Sequence, residues 1–230
     1  MVALLLILIP LVGGLASFFL KGANQAKWWS LLVSLASLAV MTYGLGWAYT
    51  LDNKVFVASW LPQLGSSFTL LMDGTSTILC LLTVLAYPII FTATWKSDYA
   101  SQSAFYALML LAQAGIMGVF LAADGLLFYF FWELALIPVY FLCSRWGGER
   151  RIAVTFKFFI YTFVGSLLML VGLIYLYYKT PGLTFGMQAL YEVQLTTTEQ
   201  GWLFWMFFIA FAVKMPVFPF HTWQPDTYEQ

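Results

Sequence analysis

Across 230 residues, 62% of the side chains are hydrophobic and only 9% are charged, with ten acidic groups balancing ten basic ones. Soluble domains carry about 25% charged residues, so this composition excludes a water-soluble globule built on one core. The zero formal net charge also excludes nucleic acid as a partner, because no basic stripe is present to neutralise phosphates. What remains is the lipid bilayer, and the predicted fold class is an all-α, polytopic transmembrane helix bundle.

The chain is apolar almost from Met1. A cleavable signal peptide would carry a charged leading segment and a small-residue cleavage site, so residues 2–20 read as a retained span. Apolar stretches long enough to cross about 30 Å of hydrocarbon follow at 28–50, 75–95, 103–123, 125–144, 153–178 and 201–220, giving about seven spans. The connection 51–74 holds Trp60, Pro62 and Gly65. It is too polar to span and reads either as a short hairpin or as an interfacial segment. Connection 179–200 is the other long one. Gly165 and Gly172 share a helix face, as do Gly115 and Gly118, and small residues let helices approach closely in lipid.

Orientation follows from the basic residues. Loops on one side carry Lys21, Lys27, Lys96, Arg145, Arg150 and Arg151. Those on the other carry Lys54 and Lys179 together with Asp52, Asp73, Asp124, Glu192 and Glu199. The first side is expected to be cytoplasmic and the N-terminus to lie outside, in a multi-pass protein of the cell inner (plasma) membrane.

Two ionisable groups fall deep in apolar runs. Glu133 lies within Phe130-Phe131-Trp132-Glu133-Leu134-Ala135-Leu136, and Lys214 within Phe211-Ala212-Val213-Lys214-Met215-Pro216. A charge at the bilayer centre costs roughly 2.5–3.5 kcal/mol on insertion scales. Glutamate at that depth is too short to reach the headgroups. Burial disfavours the charged form of such a group and a nearby opposite charge favours it. A mobile Glu133–Lys214 pair could therefore hold or release protons; a static salt bridge or a neutral hydrogen-bonded carboxyl is the plainer reading. Pro216 and Pro219 break the seventh helix beside Lys214, and a broken helix exposes carbonyls that can hold water.

Lys157 lies one turn into the sixth span. It fits either a side chain reaching back to the headgroups or the inner mouth of a polar path. Histidine is the side chain suited to passing protons at physiological pH, and His221 reads as a relay residue or an interfacial one. Cys80 and Cys143 read as small buried hydrophobes, and one histidine cannot make a metal site. There is no phosphate loop, dinucleotide glycine motif, haem ligand pair or nucleophile elbow, so neither a redox centre nor a bound cofactor is expected in this chain.

These residues carry a resemblance. The run Phe130 to Pro138, its continuation Trp146-Gly147-Gly148-Glu149-Arg150-Arg151, the triplet Phe156-Lys157-Phe158 and Gly165-Ser166 are similar to the antiporter-like subunits of respiratory complex I. So is the run Lys214-Met215-Pro216-Val217-Phe218-Pro219-Phe220-His221-Thr222-Trp223-Gln224-Pro225-Asp226. Within that group the chain most resembles the subunit M family of bacterial NADH–quinone oxidoreductase. Subunits L and N and Mrp-type antiporter subunits are close relatives. The resemblance implies that Glu133 and Lys214 form a proton-transfer pair whose separation couples to proton movement. It also implies that residues 1–100 hold helices 1–3, and that residues 101–230 hold helices 4–7 of an antiporter-like repeat. NADH, FMN, iron–sulfur clusters and quinone are expected in partner subunits, and neighbouring membrane-arm subunits are the expected partners.

The chain departs from the family in two ways. Where the family reads Leu-Pro-Asp-Ala-His, this chain reads Gln224-Pro225-Asp226-Thr227-Tyr228, which removes a second histidine. The family has about fourteen spans arranged as inverted repeats, and the chain stops within the first repeat, before the ionisable residues of helices eight and twelve. The alternatives are an Mrp-type cation/proton antiporter subunit and a non-conducting structural remnant.

Overall fold

The computed structural model describes residues 1–46 and 54–229. Asp52, the end of the predicted second span and Gln230 lie outside the described residues. Helix α1 (Val2–Ser17) is followed by α2 (Ala23–Gly46), then by a two-stranded sheet of β1 (Val55–Leu61) and β2 (Ser66–Leu71). Helices α3 (Gly74–Ala93), α4 (Gln102–Leu121), α5 (Gly125–Leu134), α6 (Leu136–Trp146) and α7 (Arg151–Lys179) come next. A short α8 (Met187–Tyr191), α9 (Thr197–Lys214) and α10 (Trp223–Glu229) complete the order.

Among the described residues five helices are long and apolar enough to cross a membrane: α2, α3, α4, the combined α5–α6 stretch Gly125–Trp146, and α7. Helix α1 is apolar but has only 16 residues. Helix α9 has 18 and begins with the polar turn Thr197-Thr198-Glu199-Gln200. The molecule is thus a mostly helical membrane protein.

The expectation of an all-α chain is corrected by the hairpin. The runs Val55-Phe56-Val57 and Phe68-Thr69 are β-branched and aromatic, which suits a strand rather than a helix. The strands pair antiparallel from Val55↔Leu71 to Leu61↔Ser66, with Phe56 and Phe68 edge to face at 6.3 Å. The turn passes through Pro62–Leu64 and Gly65, whose φ of +61° favours glycine. No Cβ fits there, because Leu183 O lies 1.9 Å from where it would sit.

The hairpin face is stitched together by backbone hydrogen bonds between three connections. Ala123 N–H donates to Thr69 O, Met187 N–H to Ala123 O, Gly125 N–H to Phe185 O, and Phe185 N–H to Gly65 O. The opposite, basic face is tied by side chains. Ser103 Oγ donates to Leu20 O at 2.6 Å, Lys27 Nζ to Trp95 O at 2.8 Å, and the Trp146 indole to Ala100 O at 2.8 Å.

Between the faces, Val2, Leu6, Met41, Cys80, Val84 and Met117 belong to one apolar cluster on the hairpin side. A second cluster, with Val33, Tyr87, Phe91, Tyr106 and Leu110, fills the basic side. Cys80 is fully buried, as expected, whereas Cys143 is only half-buried; both are free thiols.

The predicted fifth span is interrupted at Ala135, where α5 gives way to α6. Pro138 explains it: it has no N–H for the Leu134 carbonyl, and its ring crowds that carbonyl. The break abuts Gly115 of α4. A Cβ on Gly115 would lie 2.7 Å from Ala135 Cα and 3.0 Å from its nitrogen. Because the obstacle is backbone, Gly115→Ala must push α4 away from the break. The expected loss is about 1–3 kcal/mol, read as a lowered thermal midpoint of the detergent-purified protein. The other predicted glycine face also packs closely: Gly165 meets Val213 and Gly172 meets Phe207, both on α9.

Candidate functional site

Asp124 sets the start of the helix that bears Glu133. It is fully buried and caps α5, its Oδ1 accepting from the N–H groups of Leu126 and Leu127 at 3.0 Å each. The same carboxylate accepts from Ser66 Oγ at 2.8 Å and from Ser67 N–H at 3.1 Å. One side chain therefore joins the hairpin to α5. In the sequence it counts only as one loop charge; the signal for more was its place directly before an apolar run, as an N-cap.

Glu133 lies at the far end of α5, next to the Ala135 break. Its Oε1 is buried and has no hydrogen-bond partner. Across from it, the Trp132 indole donates to Ser166 Oγ of α7 at 3.0 Å, and Ser166 Oγ donates to Thr162 O at 2.8 Å. Lys214, the last residue of α9, places its Nζ 4.7 Å from the centre of the Trp132 ring. Phe211, one turn earlier, meets the same ring edge to face at 5.6 Å. An ammonium over an indole face gains about 2 kcal/mol when desolvated. Glu133 and Lys214 each feel the other's charge, yet no ion pair within 4.0 Å joins them among the described residues. The structure thus brings the two predicted residues to one place on three helices, with Trp132 and Ser166 beside them. Those two side chains appear in the sequence only as parts of matching runs. Adjacency to Glu133 and to Gly165 was the available signal, and neither reveals that they bond each other.

The seventh helix stops at Lys214, six residues before the predicted end. Pro216 has no N–H for the Ala212 carbonyl, which accepts from Val217 N–H at 2.8 Å instead. The Val213 carbonyl accepts from the Trp223 indole at 2.9 Å. Both carbonyls, expected to be open to water, are satisfied by the protein. Pro219 leads into a 3₁₀ turn, Phe220–Thr222. His221 lies in that turn, its ring 5.6 Å from that of Phe218 and its Nδ1 buried without a partner.

Lys157 is neither a lone side chain at the headgroups nor near Glu133. It lies nine residues before Ser166, roughly 13 Å along α7 at helical rise. Its Nζ donates to Asp226 Oδ2 and Thr222 O, each at 2.8 Å, and so holds α10 against α7. The Lys157 hydrogen bond and charge keep the Asp226 carboxyl below its ordinary value. A depressed acid contributes stability above its unfolded value, near 3.8, and loses it as pH falls through the folded value. Hydrogen-exchange protection over Thr222–Glu229, corrected for the intrinsic rate at each pH, is therefore expected to fall on acidification below about pH 4. Asp226→Asn should show the lower protection already at neutral pH. At the other end of α7, Lys179 Nζ pairs with Glu199 Oε1 at 2.7 Å, and the Tyr175 hydroxyl donates to the same carboxylate. Among the described residues no three His, Cys, Asp or Glu side chains gather as a metal site requires.

Glu133 and Lys214, half-buried among membrane-length helices beside a proline break, fall in the part of the chain that the comparisons assign to an antiporter-like membrane domain. A family profile described as "NADH:quinone oxidoreductase/Mrp antiporter, TM" matches residues 122–230. F(420)H(2) dehydrogenase subunit M of Methanosarcina mazei is 39% identical over 240 residues, covering all of this chain and 48% of the relative. NADH-quinone oxidoreductase subunit M of Escherichia coli is 36% identical over 245 residues, covering 98% of this chain and 48% of the relative. A chain of respiratory complex I from Thermus thermophilus superposes with a TM-score of 0.89 at 29% identity, covering all of this chain and 47% of the other. The chain belongs to the subunit M family of complex I. It spans about half the length of the curated relatives it matches.

Proposed function

We propose that this chain belongs to a proton-translocating membrane subunit, one that couples electron transfer from NADH to quinone to proton export. The observation that carries the reading is the half-buried Glu133 carboxyl, one oxygen of which is buried without a partner, close to a Lys214 that rests on Trp132 rather than in an ion pair. The two are close enough to feel each other and far enough apart to exchange partners. A Lys214 drawn towards Glu133 favours the carboxylate, and one drawn away favours the protonated acid. The turn at Pro216–Pro219 ends α9 at Lys214 and gives that end freedom that a continuous helix would deny it. Lys157 fixes the segment beyond the break through Asp226, and His221 stands there as a relay on the proton's way in.

In this reading the chain has seven spans. The fifth is α5–α6, and α1 and α9 are the first and seventh. Residues 1–100 carry the first three spans and 101–230 the antiporter-like repeat. The basic face is cytoplasmic and the hairpin face lies outside, in the cell inner membrane. NADH, FMN, iron–sulfur clusters and quinone belong to partner subunits, and neighbouring antiporter-like subunits flank this one. The decisive experiment replaces Glu133 and Lys214 in the full-length subunit and follows proton movement against electron transfer in membrane vesicles. Unchanged coupling in both variants would remove the proposal.

The family description names Mrp antiporters as well, so that reading stands second. It requires sodium-dependent proton exchange that persists with no NADH or other electron donor present. F(420)H(2) as donor is a variant of the first reading, supported by the Methanosarcina mazei relative, and is separated by supplying each donor in turn.

A further inference from the structure

Gln113 of α4 is fully buried, and neither its amide nitrogen nor its oxygen has a hydrogen-bond partner. Leaving both unmade in an apolar interior is costly, so the groups around it decide what it does. On α4, Gln113 shares a face with Leu110 and Met117, three residues before and four after. Leu110 belongs to the apolar cluster on the basic side and Met117 to the one on the hairpin side. Gln113 therefore lies in the layer between the clusters, near the middle of the helix.

Two of the helices packed against α4, namely α2 and α3, also carry polar groups between residues of the two clusters. Between Val33 and Met41, which anchor α2 in the two clusters, the fully buried residues are Ser34 and Ser37. Their hydroxyls donate within the helix to Leu31 O and Val33 O, which leaves the hydroxyl oxygens free to accept. On α3, Pro88 has no N–H for the Val84 carbonyl, and Val84 is fully buried in the Met117 cluster.

We propose that Gln113 is the centre of an internal water-binding site in the middle of the bilayer, closed by Ser34, Ser37 and the Val84 carbonyl. A buried water needs two to four polar partners. The amide supplies a donor and an acceptor, and the other three groups supply acceptors. The site is separate from the Glu133–Lys214 pair: Gly115, two residues on and so on the far side of α4, is the residue that meets the α5–α6 break. It does not rest on the proposed function.

Radiolytic hydroxyl labelling of the native membrane assembly tests it, because bound internal water generates radicals that oxidise the nearest side chains. Met117 and Met169 are both fully buried, and Met169 lies in a different cluster, on α7. In the unmodified protein Met117 is expected to oxidise severalfold faster than Met169, and in Gln113→Leu its rate should fall to that of Met169. A Met117 that stays unoxidised in the unmodified protein overturns the proposal without any need for the variant to fold. An undiminished Met117 rate in a folded Gln113→Leu protein overturns it as well.

Discussion

Glu133→Gln in the full-length subunit is expected to cut proton translocation on the order of tenfold or more, the scale on which a positioned proton-transfer group acts. Glutamine fills the same volume and keeps an acceptor at Oε1, so α5, Trp132 and Ser166 have no reason to move. Only the exchangeable proton is lost. Lys214→Met keeps the length of the side chain and its contact with the Trp132 ring while removing the ammonium, and it should fail in the same way. The double variant should be little worse than either single one, since residues that act as a unit are not additive. Proton movement is read by a pH-sensitive dye in membrane vesicles, and electron transfer is assayed in parallel with an artificial acceptor. If both variants pump normally, the pair is a structural contact.

Asp124→Ala should be the most damaging single change to stability. The carboxylate accepts four hydrogen bonds, two from the first turn of α5 and two from Ser66 and Ser67. Loss of an N-cap costs about 0.5–2 kcal/mol, and buried donors left without a charged acceptor add about 1–3 kcal/mol. A fall of about 3 kcal/mol is expected, seen as a lower thermal midpoint with faster hydrogen exchange at residues 66–69 and 125–128. Asp124→Asn should lose less. Its carbonyl oxygen can still cap α5, while its amide meets the Ser67 N–H donor to donor. An alanine variant with unchanged exchange at both sites would show that the hairpin and α5 are held by other contacts.

How far the sequence reached depends on the kind of signal. Five of the seven expected spans were legible because hydropathy reports a length of chain that must leave water, and the glycine faces because close helix contact requires small residues. Glu133 and Lys214 were legible because a charge in an apolar run is conspicuous. The break at Ala135 went unread although Pro138 was in plain view. Pro138 marks the Leu134 carbonyl as the one that loses its N–H, but a proline can kink a helix without ending it, and the packing against Gly115 shows where this one parts. The hairpin stayed undecided because residues 55–71 are short and their pairing is a long-range fact. Trp132 and Ser166 could be seen but not joined, because α5 and α7 are brought together by tertiary packing.

The uneven stitching of the two faces has a mechanical consequence. On the hairpin side the connections are woven together by backbone hydrogen bonds and the buried Asp124. On the basic side α10 is held by exposed or half-exposed ion pairs, Lys157–Asp226 and Arg150–Glu229. Backbone hydrogen bonds and a buried carboxylate resist water better than half-exposed ion pairs do, so the α10 end of the bundle is expected to open before the hairpin end, and hydrogen exchange should be faster over residues 222–229 than over residues 66–71.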